Sequence, residues 1–452
     1  MRLVVRGRRV VRPGGVQPAT VHVSDGVIAR VGDYDDVPRG ASTIDAGDLV
    51  VLPGLVDTHV HINDPGRSDW EGFEHATRAA AAGGVTTLVD MPLNSVPPTT
   101  SVAGFEAKLL AADGRCHVDV GFWGGVVPGN ADVLEPLAAR GALGFKCFLS
   151  PSGVDEFPHV NEADLRAALP VVARLGLPLL AHAELPARLR EPGSPRDPRD
   201  YRTWLESRPA ESETAAIDLL IQLAAEFGAH VHIVHLASAD ALSRLSAARE
   251  KGVRVTVETC PHYLSFAAEE IAKGATPFKC APPIRERAHR ERLWDGLASG
   301  RIDLIATDHS PAPAVLKHVG DGDFLRAWGG IASLQLGLSA VWTGASARLL
   351  PFDRIAAWMA AAPARLAGLA RSKGAIETGL DADLVLWDPE AETAVDPSSL
   401  QHRHPITPYA GMRLRGRVRT TLVRGDVVFD DGRFADTPRG RVLPSRSERE
   451  LV

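Results

Sequence analysis

Hydrophobic and polar positions alternate in two distinct textures along this chain. Residues 1–50 hold short valine-rich runs (3–5, 20–23, 27–31 and 42–45) broken by turn residues, the pattern of an antiparallel β unit. The same texture returns at 382–387 and 419–428. Strand-rich segments at both ends predict one small sandwich, with the middle of the chain inserted between them. From 51 to about 370 the rhythm changes. Apolar runs at 86–91, 117–123, 142–149, 178–182, 230–236, 254–259 and 304–307 alternate with alanine- and leucine-rich stretches such as 73–82, 163–174, 215–227 and 239–250. Seven or eight strand-then-helix repeats of this length predict an α/β architecture, a parallel (β/α)8 barrel. The expected organisation is a β-sandwich from 1–50 and 372–437, a barrel over 51–371, and a loose polar tail at 438–452.

Composition narrows the function classes. Hydrophobic residues at 45% and charged residues at 23% of 452 positions are ordinary for a globular protein. A formal net charge of −6 spread through the chain argues against nucleic acid as a partner. The N-terminal segment 1–10 interleaves basic residues with valines and lacks the continuous apolar core of a signal peptide. No run of about 18 uncharged apolar residues is present, so a membrane span is not expected. Cys116, Cys147, Cys260 and Cys280 form no C-x-x-C and read as reduced, buried thiols of a cytoplasmic protein.

The chemistry is concentrated at strand ends. His59 and His61 stand two residues apart at the end of the apolar run 49–56. On a strand, such residues share a face, and imidazole is the commonest ligand for catalytic metals. Two histidines on a surface strand would look the same, so the pair gains weight only from further candidate ligands at later strand ends. Lys146 lies near the end of 142–149, His182 closes 178–182, His235 follows 231–234, and Asp308 closes 303–308. A barrel brings these ends to one mouth, and four imidazoles converging there with a carboxylate point to metal. Periodicity turns His232 to the face opposite His235, and His309 away from Asp308. His262 sits past its strand end, and His75, His289, His402 and His404 fall in polar surroundings that predict solvent exposure. Lys146 poses a separate problem, because an ammonium cannot ligate a cation. It fits such a site only as a neutral amine or as an adduct with CO2.

With these residues assembled, the chain resembles the cyclic amidohydrolases of the metal-dependent amidohydrolase superfamily: dihydroorotases, hydantoinases (dihydropyrimidinases) and allantoinases. The segments 69–74, 90–95, 144–148 and 327–331 are most similar to the allantoinase branch. The resemblance implies hydrolysis of a ring amide of allantoin to allantoate, in ureide catabolism. It implies two divalent cations, zinc by default with manganese, cobalt or iron as alternatives. The ligands would be His59, His61, Lys146, His182, His235 and Asp308, with Lys146 carboxylated and bridging together with a hydroxide. Asp308 would serve as the acid–base catalyst. Dihydroorotases place an arginine two residues after the second histidine, where this chain has Asn63; hydantoinases carry a tyrosine shortly after the carboxylated lysine, and 149–153 holds none. A hydantoinase-type ring opener remains the alternative among enzymes, and a non-catalytic scaffold relative the alternative outside them. Backbone groups at Ala281, Gly329 and Gly330, together with Asn63 and Asn94, are the candidate substrate contacts. Residues 312–323 are a candidate cover over the mouth, and the resemblance implies a homotetramer.

Overall fold

A computed structural model describes residues 3–191 and 197–443 of the chain. Five strands open it: β1 (Leu3–Arg12), β2 (Gly15–Ser24), β3 (Val27–Gly32), β4 (Ser42–Asp45) and β5 (Val50–Pro53). The middle supplies β6 (Leu55–Val60), β7 (Val85–Asp90), β8 (Asp119–Phe122), β9 (Gly124–Gly125), β10 (Phe145–Phe148), β11 (Pro178–His182), β12 (His230–Ile233), β13 (Val255–Thr259) and β14 (Leu304–Ile305). β15 (Leu384–Ala394), β16 (Arg413–Val423), β17 (Asp426–Asp430) and β18 (Arg433–Phe434) complete the strands.

The two ends of the chain do pair. A nine-stranded sheet runs in the order β18-β17-β16-β15-β5-β1-β2-β3, with β4 also on β1. It is mixed, not purely antiparallel as the valine runs predict. A register shift between Gly7 and Val10 divides β1, whose first half pairs in parallel with β4 and whose second half pairs in parallel with β5. The apolar run 49–56 is also two strands. β5 pairs with β15 in this sheet, whereas β6 enters the barrel beside β7. Gly54 makes the switch, because a side chain there would collide with Thr86 and Asp383.

The barrel is parallel, and its strands are buried almost throughout, as expected where helices cover the outer face and packed side chains fill the inner one. β6-β7-β8 and β9 to β14 form its two arcs. β8 and β9 are separated by one residue and pair with opposite neighbours, so together they act as one bent strand. Closure comes from His61, whose N–H donates to the His309 carbonyl at 2.8 Å. The helices carry ordinary stop and start signals. Glu162–Leu175 begins with a capping box between Asn161 and Asp164, and ends at Gly176 with φ 65°.

The two units meet at a buried ion cluster. Lys373 Nζ lies 2.6, 2.8 and 2.7 Å from carboxylates of Asp119, Asp381 and Asp383, and Arg424 also pairs with Asp119. The tail is not loose over its described part. Val442 bridges Val120, and Leu443 N–H donates to the Val120 carbonyl at 2.8 Å; residues 444–452 lie outside the described residues. No described helix is long and apolar enough to cross a membrane.

Candidate metal centre

The strand ends converge as the repeats require. His59 belongs to β6, Lys146 to β10 and His182 to β11, while His61, His235 and Asp308 lie just beyond β6, β12 and β14. Ligand atoms of His59, His61 and Asp308 lie within 4.8 Å of one another. The Nε2 atoms of the two histidines are 3.2 and 3.4 Å from Asp308 Oδ1. A second pair stands beside this trio: His182 Nδ1 is 3.0 Å from His235 Nε2, and the His59 and His235 rings are 5.4 Å apart. All six side chains, Lys146 included, are buried.

Backbone conformation contributes to this convergence. His235 and Asp308 adopt left-handed φ values of 39° and 46°, and Asn63 and Asn94 take 64° and 66°. That conformation is uncommon for residues other than glycine, and Asn, Asp and His are the side chains that tolerate it best. Asp57 holds one of these turns: its carboxylate accepts from Thr307 Oγ1 at 2.5 Å and from Thr307 N–H at 3.2 Å, next to Asp308.

Two buried carboxylates orient the histidines. Glu258 Oε1 lies 2.5 Å from His59 Nδ1, and its Oε2 lies 3.0 Å from His232 Nε2. Glu184 Oε2 lies 2.7 Å from His182 Nε2 and 3.0 Å from Arg208 Nη2. At His59 and His182 the bond occupies one ring nitrogen and turns the other toward the shared space, whereas His232 has its second nitrogen on Thr256 Oγ1. Burial alone would raise the Glu258 carboxyl, but His59 and His232 outweigh it and hold it at about 2. The Phe148 ring stacks on His182 at 4.6 Å and 13°.

Lys146 is buried with no hydrogen-bond partner for Nζ. Burial lowers its amine to about 8. A fully buried amine lacking an acceptor is rare in folded proteins, and here it lies close enough to His182 and His235 for its charge to act on both rings. The donor set of imidazole nitrogens and a carboxylate fits divalent transition metals, and the orphan amine fits a group completed from outside the chain.

The candidate substrate contacts separate. Asn94, Ala281 and Gly329 line the cleft over the histidines, and Asn94 Nδ2 is 3.3 Å from His61 Nδ1. Asn63 instead donates to the Pro311 carbonyl at 3.5 Å, and Gly330 is packed tightly against Ser310. His262, expected merely past its strand, is fully buried against Asp308 and Cys260. His402 is not solvated as its polar context predicts. It is 4% exposed, its ring 4.8 Å from that of His309. Residues 312–323 are anchored by Lys317, whose Nζ donates to the Lys279, Trp328 and Gly330 carbonyls at 3.2, 3.0 and 2.8 Å.

A sequence profile described as the amidohydrolase family matches residues 50–428. The chain belongs to the amidohydrolase family. Proteins named allantoinase are similar over nearly its full length. That of Streptomyces avermitilis is 52% identical over 98% of each chain, and that of Arabidopsis thaliana 48% identical over 96% of this amidohydrolase and 90% of the plant protein. Among solved structures, the L-hydantoinase (dihydropyrimidinase) of Arthrobacter aurescens superposes with a TM-score of 0.92 at 31% identity, covering 98% and 99% of the two chains. The dihydropyrimidinase of Brevibacillus agri superposes with a TM-score of 0.88 at 27% identity, covering 98% of both.

Four residues of this amidohydrolase's site, Glu258, Glu184, Asp57 and Arg208, do not stand out in the sequence as candidates. Glu258 has a usable signal, since a carboxylate in the run 254–259 faces the core of a buried strand. Arg208 has none, because it reaches the cleft from the end of a helix, Tyr201–Ser207.

Proposed function

We propose that this amidohydrolase is an allantoinase, opening the hydantoin ring of allantoin by hydrolysis of a ring amide to give allantoate. The observation that carries this reading is the contrast in identity. The chain is 52% identical to an allantoinase over 98% of its length, against 31% to a hydantoinase of the same fold.

His59 and His61 would hold one divalent cation and His182 and His235 the other. Lys146 would lie between them as the carbamate formed when its neutral amine adds CO2 and releases a proton, and Asp308 would be the sixth ligand. Zinc suits the imidazole and carboxylate donors best, with manganese, cobalt and iron also compatible. Such cations, when bound, supply Lewis acidity and lower the pKa of a bound water from ~15.7 toward ~7.

The protein's own groups do the rest. Asp308 takes the proton of the attacking water at its carboxylate and returns it to the leaving ring nitrogen, so the ring opens without a free amide anion. Glu258 and Glu184 keep His59 and His182 in one tautomer and one orientation. Backbone groups of Ala281 and Gly329, with Asn94, face the ring amide. The division expected is a sandwich over 1–50 and 372–437 and a barrel over 51–371, with β5 (Val50–Pro53) on the side of the mixed sheet. A cytoplasmic homotetramer is the form we expect.

Product analysis with allantoin, hydantoin and dihydrouracil, combined with metal determination on the purified protein, tests the reading. Conversion of allantoin to allantoate by a metal-containing protein supports it. A protein that opens only dihydrouracil or hydantoin would be a hydantoinase-type enzyme instead.

A further inference from the structure

Arg208 occupies an unusual position in the cleft. It lines the same space as His182, His235 and Asp308, with its side chain only 13% exposed. One end of its guanidinium is anchored on Glu184, the carboxylate that also holds His182. The group lies over the Trp204 ring, with Cζ 5.0 Å from the ring centroid. Trp204 is itself fixed by a 2.9 Å bond from Nε1 to the Cys280 carbonyl. Arg208 Nε is buried and has no acceptor. The buried Nε is out of a ligand's reach, but the part of this rigidly held guanidinium that stays open lines the cleft and can donate to an acceptor from outside the chain.

The surroundings select what that acceptor is. Glu184 already balances the guanidinium charge, so a carboxylate on the ligand would gain little there and would lie near a second carboxylate. Lys279, on the same tryptophan at 4.2 Å, commits its Nζ to the carbonyls of Leu325 and Ala327. A neutral carbonyl, strongly dipolar and without charge, matches the site.

We propose that Arg208 is a specificity-determining residue that donates to the carbonyl of a ureido substituent on the substrate ring. This rests on the allantoinase reading and deepens it. Hydantoin and dihydrouracil carry no such substituent, so Arg208 separates allantoin from the simpler rings that the same metal chemistry would open. A site built to hydrogen-bond one group discriminates strongly against the analogue lacking it.

The test uses the full-length metal-loaded enzyme and the variants Arg208→Met and Arg208→Lys. Three quantities are read: KM and kcat for allantoin, the inhibition constant of unsubstituted hydantoin against allantoin, and bound metal. We expect KM for allantoin to rise about 10- to 100-fold in the Met variant. Hydantoin inhibition and metal content should stay at wild-type values, and the Lys variant should recover part of the loss. Parallel weakening of allantoin, hydantoin and metal would overturn the proposal and make Arg208 a brace for Glu184 and His182. An unchanged KM for allantoin would also overturn it. A wild-type enzyme that opens hydantoin but leaves allantoin intact would remove the allantoinase reading and this proposal together, a result distinct from both.

Discussion

His59 and Glu258, 199 residues apart in the chain, meet across the barrel mouth with Nδ1 and Oε1 2.5 Å apart. Glu258 is completely buried, and its other oxygen holds His232. One carboxylate therefore fixes the ring that faces Asp308 and ties β6 to β12 and β13. We expect Glu258→Gln to lower metal affinity or activity by about 10- to 100-fold, with the fold intact by circular dichroism. Wild-type metal affinity and turnover in this variant would show that His59 needs no such partner.

Asp308 is assigned the proton transfer. Asp308→Asn keeps the shape and a ligating oxygen but removes the base. Turnover of allantoin is expected to fall by about 10²–10⁴-fold, with most of the metal retained. Metal analysis alongside kcat separates this outcome from loss of the centre, and an active Asn variant would rule the assignment out.

In the proposed centre Lys146 would carry the bridge. Lys146→Ala should lose metal and activity together, and short carboxylic acids added to the assay should restore both in part by standing in for the carbamate. A metal-replete, fully active alanine variant would exclude the carbamate.

Lys317 provides a test by pH. Burial lowers its amine to about 7 from an ordinary 10.5. Between those values the unfolded chain holds a proton that the folded protein has released, so stability rises with pH across that window. Below about 7 both states are protonated, and the cost of burying the ammonium is constant. The slope contributed by Lys317 is at most about 1.4 kcal/mol per pH unit. Lys317→Met should flatten the rise in denaturant midpoint between pH 7 and 10, measured against wild type. Identical slopes would place the Lys317 amine outside this range.

Much of the architecture was legible in the sequence because period and burial coincide. The run 178–182 is a strand over its whole length, Pro178–His182, and the helix Phe73–Ala82 begins and ends where its alanine-rich pattern does. Errors arose where one texture served two elements. Valines at 49–56 feed two sheets through Gly54, and no local signal marks the change of partner. His402 departs from its local pattern because its neighbours in sequence are polar while its neighbours in space, His309 and Glu71, are buried.

The succession of β/α repeats in the barrel, the strand-end placement of His59, His61, Lys146, His182, His235 and Asp308, and the absence of a strongly basic composition were readable from the sequence alone. These are properties of spacing and composition, and spacing along a β/α repeat dictates which end of the barrel a residue reaches. Tertiary structure decided the rest. Glu258 meets His59, Glu184 joins His182 to Arg208, and Asp57 grips Thr307 250 residues away. Those pairings depend on barrel closure and on the left-handed backbone turns at His235 and Asp308. Neither is written in local periodicity, because both arise from contacts that exist only once the chain has folded.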